Sequence, residues 1–461
     1  MVDERLKNLD GRARRSFLKW TAAAGAILAL DRAKVLNVIA DSGGTALADE
    51  ATCSLTNRSV HLVAGDGGFA WFQLLWPHVE IATSTNDGFA FHAKGQQKKA
   101  TDTDKPFYFA PESPWQNLDK TKRITAFMAG QNQTHTPTPA TAATLGNGTS
   151  MLAACAAIQR STPSLLPVIA IDPVNFGNAP GAPQVATVGD ADGMVQLFNS
   201  AASKATLKVE KDAALFEAYY KAFIGLNRAA NRPTYTRALG IGKTSANFLG
   251  KNLAAQLVPS ADDLDRYGID GGTPSKLSEI ARALITTAKA FRLGLTQSVI
   301  MPVMRDDPHG AFQDMGTLQS TVASLGKFFD EFLADLGSID DPLCASRSLA
   351  DSVVLTVHGD TPKDPRDSGG WPDGTPGNSN WLYAMGNGLL KTGWFGGVKA
   401  DGSVAGFDPT TGAEIAGQSS DATSAPAGAA VAYAVAKGDM KRVSDFYNGP
   451  ALDGIVVTSP I

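Results

Sequence analysis

The sequence predicts an α/β fold with a doubly wound, mainly parallel sheet flanked by helices. Apolar, β-branched runs end in polar turns, and segments with helical periodicity follow them. This alternation is typical of a parallel sheet, whose strands share one carboxyl edge where ligands bind. The predicted strands are Arg58–Ala64, Arg123–Ala129, Leu165–Ile171, the start of Ser298–Gly310, and Ser352–Asp360 with its polar end.

Composition is that of an ordinary globular protein. The chain has 461 residues, of which 43% are hydrophobic and 19% charged, so it is long enough for a large core. Its formal net charge is −4, and the first 48 residues carry more basic than acidic side chains. The remainder is therefore still more acidic, which argues against a nucleic-acid binder.

The amino-terminal segment predicts export in the folded state. Arg14 and Arg15 lie within Ala13–Lys19, which matches the twin-arginine motif. The apolar run Trp20–Leu30 is too short for a transmembrane helix, and Ala46–Ala48 is a plausible cleavage site. We expect residues 1–48 to be a signal peptide read by the twin-arginine export machinery. Residues 49–461 would then form a single periplasmic or secreted domain with loop insertions and no stable membrane span.

The three cysteines, Cys53, Cys155 and Cys344, fit no zinc or iron–sulfur spacing. Outside the cytoplasm one pair could oxidise. Cys155 lies in an alanine-rich helical segment, where a cysteine is usually a buried small hydrophobe. Cys53–Cys344 is therefore the predicted disulfide.

The strongest chemical signal follows the strand that begins at Ser298. Asp307 and His309 stand in an Asp-Pro-His-Gly turn directly after the apolar run. A carboxylate and an imidazole are good ligands for zinc or a similar cation. The alternative is a polar turn that only caps the next helix.

Polar residues also follow the first two strands. Asp66 lies between glycines after the first strand, either as a ligand or as part of a simple turn. Thr134 and His135 follow the second strand and precede a predicted helix over 140–160, and a helix amino terminus attracts anions. Thr134 is a candidate nucleophile if a metal lowers its pKa, or it merely caps the helix.

The strand that begins at Ser352 ends in His358 and Asp360, a second pair of candidate ligands. A long loop is predicted from Thr361 to Asn380, of a length that is usually functional. Beyond it we expect loop and short helix over Trp381–Gly412. The other predicted segments are mostly helical Asp190–Leu257, helices Lys276–Leu293 and Leu318–Leu336, a linker Gly417–Gly428 and a final helix Ala429–Phe446.

Taken together, these motifs resemble the twin-arginine-exported family known as domain of unknown function 1501, a branch of the alkaline phosphatase/sulfatase superfamily. The resemblance covers most of the chain after residue 48. The family's Asp-Gly turn, its Ser-His, its Asp-Thr-His-Gly and its Ser-Glu-Phe-Gly-Arg-Thr-Pro resemble, in that order, residues 65–67, 134–135, 307–310 and 356–362. The resemblance implies an alkaline phosphatase/sulfatase-like fold and a metal site.

The departures from that pattern fall in one half of the implied two-metal site. Val357 and Asp360 replace the family's Glu and Arg, and residues 377–381 lack its Asp and His. Asp66, Asp307 and His309 remain as one group of ligands, whereas His358, Asp360 and Asn380 are substitutes in the other. We expect at most one divalent cation, such as zinc, calcium or manganese, and no nucleotide cofactor.

Two functions follow from this uneven site. The first is a non-catalytic or weakly active envelope or secreted protein that binds a small anionic ester or an envelope partner. The second is a metal-dependent phosphate- or sulfate-ester hydrolase with Thr134 as nucleophile and His135 beside it. The loss of the ionisable ligands at residues 379 and 380 favours the first.

Overall fold

The computed structural model describes residues 53–63, 98–109, 118–131, 144–203 except 161 and 163, 252–303, 314–358 and 376–458. Predictions that concern other residues, including the export signal, lie outside the described residues. The strands are β1 (Arg58–Val63), β2 (Lys98–Lys99), β3 (Tyr108–Phe109), β4 (Ile124–Gln131), β5 (Thr144–Gly146), β6 (Thr149–Ser150), β7 (Val168–Ile171), β8 (Ala186–Val188), β9 (Ser298–Pro302), β10 (Asp340–Asp341), β11 (Cys344–Ser348), β12 (Val353–His358), β13 (Ser379–Met385), β14 (Gly393–Phe395), β15 (Gly397–Val398), β16 (Val404–Phe407) and β17 (Glu414–Ala416). The helices are α1 (Met151–Gln159), α2 (Ala191–Ser203), α3 (Ala254–Leu257), α4 (Ala261–Tyr267), α5 (Ser275–Arg292), α6 (Met315–Ser338), α7 (Ser420–Val435) and α8 (Met440–Val443).

An eight-stranded mixed sheet organises the described residues, in the order β14-β4-β13-β12-β1-β9-β7-β8. All neighbouring pairs are parallel except the two that involve β13, which runs against both of its neighbours. Helices α2, α5 and α6 pack on one face, and α1 and α7 pack on the other. The predicted α/β fold with a mainly parallel sheet flanked by helices is therefore confirmed at this level.

The five predicted strands all exist, as β1, β4, β7, β9 and β12. Their apolar side chains alternate between the two faces because successive residues of a strand point in opposite directions. Val60 and Leu62 of β1 pack with α5 and α6, whereas Val63 packs with α1 and α7. The predicted helices 276–293 and 318–336 correspond to α5 and α6, and α2 and α3 lie within the region predicted to be mostly helical.

The helix predicted over 140–160 is wrong in its first half. Strands β5 and β6 form a hairpin there, and α1 begins only at Met151. The hairpin turns at Asn147 and Gly148, which both have positive φ, as a tight two-residue hairpin turn requires. Ser150 then caps α1 by accepting from the backbone N–H of Ala153.

The predicted linker 417–428 is wrong over most of its length, and the helix predicted over 429–446 exists with other bounds. Helix α7 begins at Ser420 and ends at Val435, and every residue from Pro426 onward is buried. Its small residues allow close packing, since a Cβ on Gly428 would lie 3.1 Å from Leu145 Cδ1. Its hydroxyl groups serve β4: Thr423 donates to the carbonyl oxygen of Met128, and Ser424 Oγ accepts from the N–H of Gly130 at 2.6 Å.

The loop and short helix predicted over 381–412 are wrong as well. That stretch, which is fully described, contains most of β13 and all of β14, β15 and β16, and no helix. β13 is buried along its whole length between β4 and β12. Its polar start, Ser379-Asn380, concealed a central strand because a buried strand usually has an apolar sequence.

A buried ion pair closes the amino edge of the sheet, where the parallel strands begin. Arg58 Nη1 donates to Asp341 Oδ1 at 2.9 Å, and both residues are buried. The Ser352 hydroxyl and the Leu343 N–H also donate to the Asp341 carboxylate, at 2.6 and 2.9 Å. Burial lowers the pKa of Arg58, and Asp341 opposes that shift. Among the described residues, Nε and Nη2 of Arg58 have no acceptor, and its guanidinium carbon lies 5.9 Å from the centre of the Phe291 ring.

A disulfide lies beside this ion pair. Cys53 and Cys344 are bonded, with Cα atoms 4.3 Å apart, which confirms the predicted pairing. Cys155 is free and buried in α1, and burial raises the pKa of its thiol to about 12. The segment before β1 is thus joined covalently to the β10–β11 hairpin.

Within the described ranges, no helix has both the length and the apolar character needed to cross a membrane.

Candidate functional site

The predicted site residues follow strands that are neighbours in the sheet. β4, β13, β12, β1 and β9 lie side by side, and all but β13 end at the same carboxyl edge, where β13 begins. In the sequence, Asp66 follows β1, Thr134 and His135 follow β4, Asp307 and His309 follow β9, and Asp360 follows β12. These six residues lie outside the described residues, so the convergence of their side chains stays a prediction. The described candidates are His358 and Asn380.

His358 is the last residue of β12 and lies in a buried polar cluster. Its strand register places Thr356 opposite His61 of β1, and His358 opposite Val63. Alternation puts His61, Thr356 and His358 on one face of the sheet, the face covered by α1 and α7. We call these three residues the His–Thr–His cluster.

Thr356 connects the two histidine rings of the cluster. Its Oγ1 lies 2.7 Å from His61 Nδ1 and 3.1 Å from His358 Nε2. The ring centroids of the two histidines are 6.2 Å apart. None of the three residues is more than 1% exposed, so these contacts are made without competition from bulk water.

Burial keeps both imidazoles neutral. Desolvation lowers the pKa of His61 to about 3, with a smaller contribution from the nearby His358. Desolvation alone lowers the pKa of His358 to about 3. At neutral pH each ring therefore keeps a lone pair on one nitrogen, which is the form of histidine that binds metal ions.

Each ring has one nitrogen without a partner. Among the described residues, no hydrogen-bond partner reaches His61 Nε2 or His358 Nδ1, although both atoms are buried. A buried polar atom that makes no hydrogen bond costs about 1–3 kcal/mol. Such an atom in a folded protein calls for an explanation, and a bound ion or water is one of the usual ones.

Asn380 is buried at the start of β13. Two residues later, Leu382 packs on the face covered by α1 and α7, so alternation places Asn380 on the same face as the His–Thr–His cluster. The Asn380 Oδ1 atom accepts from the backbone N–H of Trp381 at 2.8 Å. Because an amide oxygen is neutral and this one already accepts a hydrogen bond, Asn380 is a weaker ligand than a carboxylate.

The described part of the site fits a cation at one position. His358 Nδ1 is a buried imidazole nitrogen at the end of its strand, with no hydrogen-bond partner among the described residues, as a ligand requires. No three His, Cys, Asp or Glu side chains of the described residues form a metal-binding cluster. The other ionisable ligands that we predict, Asp66, Asp307, His309 and Asp360, lie outside the described residues.

His61 and Thr356 were not predicted as site residues from the sequence. The signal was present, because β1 reads Arg-Ser-Val-His-Leu-Val and β12 reads Val-Val-Leu-Thr-Val-His. In both strands polar residues alternate with buried apolar ones, so each strand has one polar stripe. Two such stripes on paired strands predict a polar cluster inside the core.

No protein-family model matches the chain, and neither a curated protein nor a solved structure matches it.

Proposed function

We propose that this chain is an exported protein of the alkaline phosphatase/sulfatase-like superfamily, with motifs like those of the domain of unknown function 1501 family. Its carboxyl-edge site would bind one divalent cation and hydrolyse esters weakly or not at all. The buried Nδ1 of His358, which has no partner among the described residues, carries this proposal. The ends of the neighbouring strands β12, β1 and β9, and of β4 beyond β13, support it, since the other candidate ligands follow those strands in the sequence.

The chemistry of the described side chains argues for a single cation. A bound cation would supply Lewis-acid stabilisation to a nearby anion. His358 would present a neutral nitrogen to it, and Asn380 a neutral oxygen that already accepts a hydrogen bond from Trp381. Neither of these two side chains brings negative charge, so Asp360 is the single carboxylate among the three substitute ligands and would hold a second divalent cation poorly. The proposed role is therefore binding of a small anionic ester or an envelope partner.

Metal content tests the proposal directly. The protein is purified after export, exchanged against Zn²⁺, Mn²⁺ or Ca²⁺ in turn, and analysed by inductively coupled plasma mass spectrometry. We expect at most one equivalent, and we expect His309→Ala and His358→Ala each to lower it. His92→Ala is the matched control, because His92 has no other candidate ligand at ligand spacing in the sequence, and it should retain the wild-type metal content.

Hydrolysis decides between the two functions. We expect slow or undetectable turnover of aryl phosphates and aryl sulfates by the metal-loaded protein. Two tightly bound equivalents, with rapid turnover that is lost in Thr134→Ala, would replace this proposal with that of a metal-dependent ester hydrolase.

Export is tested separately. Replacing Arg14 and Arg15 together with lysine should retain the precursor in the cytoplasm, because the arginine pair is the recognised feature of the signal. Cell fractionation with immunoblotting measures this. Wild-type levels of the variant outside the cytoplasm would exclude the twin-arginine route without bearing on the cation site.

A further inference from the structure

The hydroxyl of Thr356 stands between two buried imidazoles and has a single proton. It lies within hydrogen-bond distance of His61 Nδ1 and of His358 Nε2. A threonine hydroxyl donates one hydrogen bond and can accept two. Among the described residues the Thr356 hydroxyl has no other partner, so if it accepted from both rings, its own buried proton would be left without an acceptor. Thr356 therefore donates to one ring and accepts from the other.

This restriction leaves two arrangements for neutral rings. In the first, His61 Nδ1–H donates to Thr356, which donates to His358 Nε2, so both histidines carry their proton on Nδ1. In the second, His358 Nε2–H donates to Thr356, which donates to His61 Nδ1, so both carry it on Nε2. In either arrangement the two histidines are the same tautomer.

We propose that His61 and Thr356 are positioning residues for cation binding at His358, because the His–Thr–His cluster couples the tautomers of its two histidines. A cation on His358 Nδ1 needs the lone pair of that atom, and this selects the arrangement with both protons on Nε2. The selection of one arrangement by a cation rests on the proposed function, whereas the coupling of the tautomers does not.

The surroundings of the cluster support the coupling. Both rings are buried against apolar residues of the face covered by α1 and α7, so a charged imidazolium is disfavoured and the neutral tautomers are the relevant states. Outer hydrogen bonds of this kind commonly fix the tautomer and orientation of a metal-binding histidine. Here the outer partner of His358 is a hydroxyl that is itself held by a second histidine.

Conversion from the first arrangement to the second conserves protons. The Nδ1 proton of His61 moves to Thr356, and the hydroxyl proton of Thr356 moves to His358 Nε2. One proton leaves His358 Nδ1 to water, and water supplies one to His61 Nε2. The ring that would bind the cation and the ring in the interior thus change state together.

Solid-state ¹⁵N NMR of histidine-labelled protein tests the coupling without any metal. The ring nitrogen shifts separate protonated from unprotonated nitrogens, and His61→Gln and His358→Gln variants assign the signals among the 6 histidines. We expect His61 and His358 to show the same tautomer in the full metal-free chain. Opposite tautomers would overturn the proposal, whatever the protein binds.

Titration with Zn²⁺ alone tests whether a cation selects the arrangement with both protons on Nε2. In the wild type we expect zinc to shift His358 Nδ1 and to leave both histidines with the proton on Nε2. Thr356→Val should abolish the response of His61 and weaken zinc binding by about 10–100-fold, the usual effect of losing an outer partner. Thr356→Ser should restore both properties because it keeps the hydroxyl.

Thr125→Val is the matched control. Thr125 is a buried strand threonine whose hydroxyl donates to the carbonyl oxygen of Lys391 at 2.7 Å. We expect this variant to bind zinc as the wild type does.

If zinc shifts His358 in the wild type but leaves His61 in the other tautomer, the proposed selection by the cation is wrong. If zinc shifts neither ring, the proposed cation site fails, while matched tautomers in the metal-free protein would still support the coupling. Should Thr356→Val not fold, the two wild-type measurements alone decide.

Discussion

The two edges of the central sheet differ in their buried polar groups, which are charged at the amino edge and neutral toward the carboxyl edge. At the amino edge, Arg58 and Asp341 are charged and face each other, and a disulfide lies beside them. Toward the carboxyl edge, His61 and His358 are neutral, and each leaves one buried nitrogen without a partner among the described residues. β1 contains both kinds, since Arg58 is its first residue and His61 lies further along the same strand.

Because of this difference, we expect the amino edge to contribute mainly to stability and the carboxyl edge to be available for binding. A buried ion pair with additional donors is costly to break, because either partner left alone is an unpaired charge in the core. A neutral ring with a free lone pair costs less and remains available to a ligand. We therefore expect perturbations at the amino edge to change stability at every pH. Perturbations near the carboxyl edge should act mainly when the histidines acquire charge.

The largest expected effect is acid destabilisation through the histidines. Their pKa is lowered to about 3 in the folded protein, against about 6.5 when unfolded, so the unfolded chain binds more protons between these values. The stability they contribute is complete above pH 6.5 and is lost as pH falls toward 3. Two such groups give a slope of about 2–3 kcal/mol per pH unit, measured by urea unfolding at a series of pH values.

A double variant isolates this slope from that of the carboxyl groups. Asp330, for example, has its pKa raised to about 7 by burial and by Glu331, so its contribution has the opposite sign. In His61→Gln/His358→Gln every carboxyl group still titrates, and the free energy of unfolding should depend less steeply on pH. An equally steep dependence in the double variant would show that the histidines are not the acid-sensitive groups.

The next largest effect is expected at Asp341. Asp341→Ala leaves the Arg58 guanidinium buried without its counter-charge, because Arg58 has no other charged partner among the described residues. We expect a loss of about 3–5 kcal/mol in the free energy of unfolding, from urea melts at pH 7.5. A loss below 1 kcal/mol would mean that the amino edge tolerates an unpaired charge, and the contrast between the edges would disappear.

Loss of the disulfide should follow. Cys53 and Cys344 are separated by 291 positions in sequence, so the bond restricts a very long segment of the unfolded chain. We expect the Cys53→Ser/Cys344→Ser variant to unfold with about 2–5 kcal/mol less free energy than the oxidised wild type. The control is Cys155→Ala, which removes the free cysteine and keeps the disulfide. Reducing agent should lower the free energy of unfolding of the wild type and of Cys155→Ala, but not that of the Cys53→Ser/Cys344→Ser variant.

The smallest effect is expected at a partly exposed ion pair, which serves as the comparison for the buried pair at the amino edge. Lys399 Nζ lies 2.6 Å from Glu414 Oε2, and the Glu414 side chain is 56% exposed. Glu414→Ala should cost about 0–1 kcal/mol, because water solvates the lysine that is left. If this cost equals that of Asp341→Ala in the same urea assay, burial is not what makes the pair at the amino edge strong.

The sequence predicted the strands that are rich in β-branched residues and missed the elements whose local composition conflicts with their position. β1, β9 and β12 were predictable because each combines valine or isoleucine with other apolar residues in a short run that ends in polar residues. α7 was missed because Ser, Ala, Pro and Gly usually indicate a linker, whereas here their small size allows close packing against β5 and α1.

The candidate site, like the fold, was only partly predictable from the sequence. His358 was predicted because it ends a strand, and strand ends are where polar residues stand out in a sequence. His61 was not predicted, because the polar stripe of β1 indicates a cluster only together with the stripe of β12, and the pairing of these two strands has to be known first. Its role depends on Thr356, from which almost three hundred positions separate it in sequence. Pairing at this separation is decided by the whole sheet, and local patterns do not report it.

The position of α7 in the chain has a consequence for how the protein is made. This helix covers the face of the sheet that contains the His–Thr–His cluster, and its hydroxyl groups bond to the backbone of β4. Strands β1 to β12 and helix α1 leave the ribosome well before residues 420–435, so during synthesis α1 is the one helix of the described pair that can cover that face. The apolar surface that α7 later covers is therefore exposed on the nascent chain, where chaperones would recognise it, until α7 has been translated.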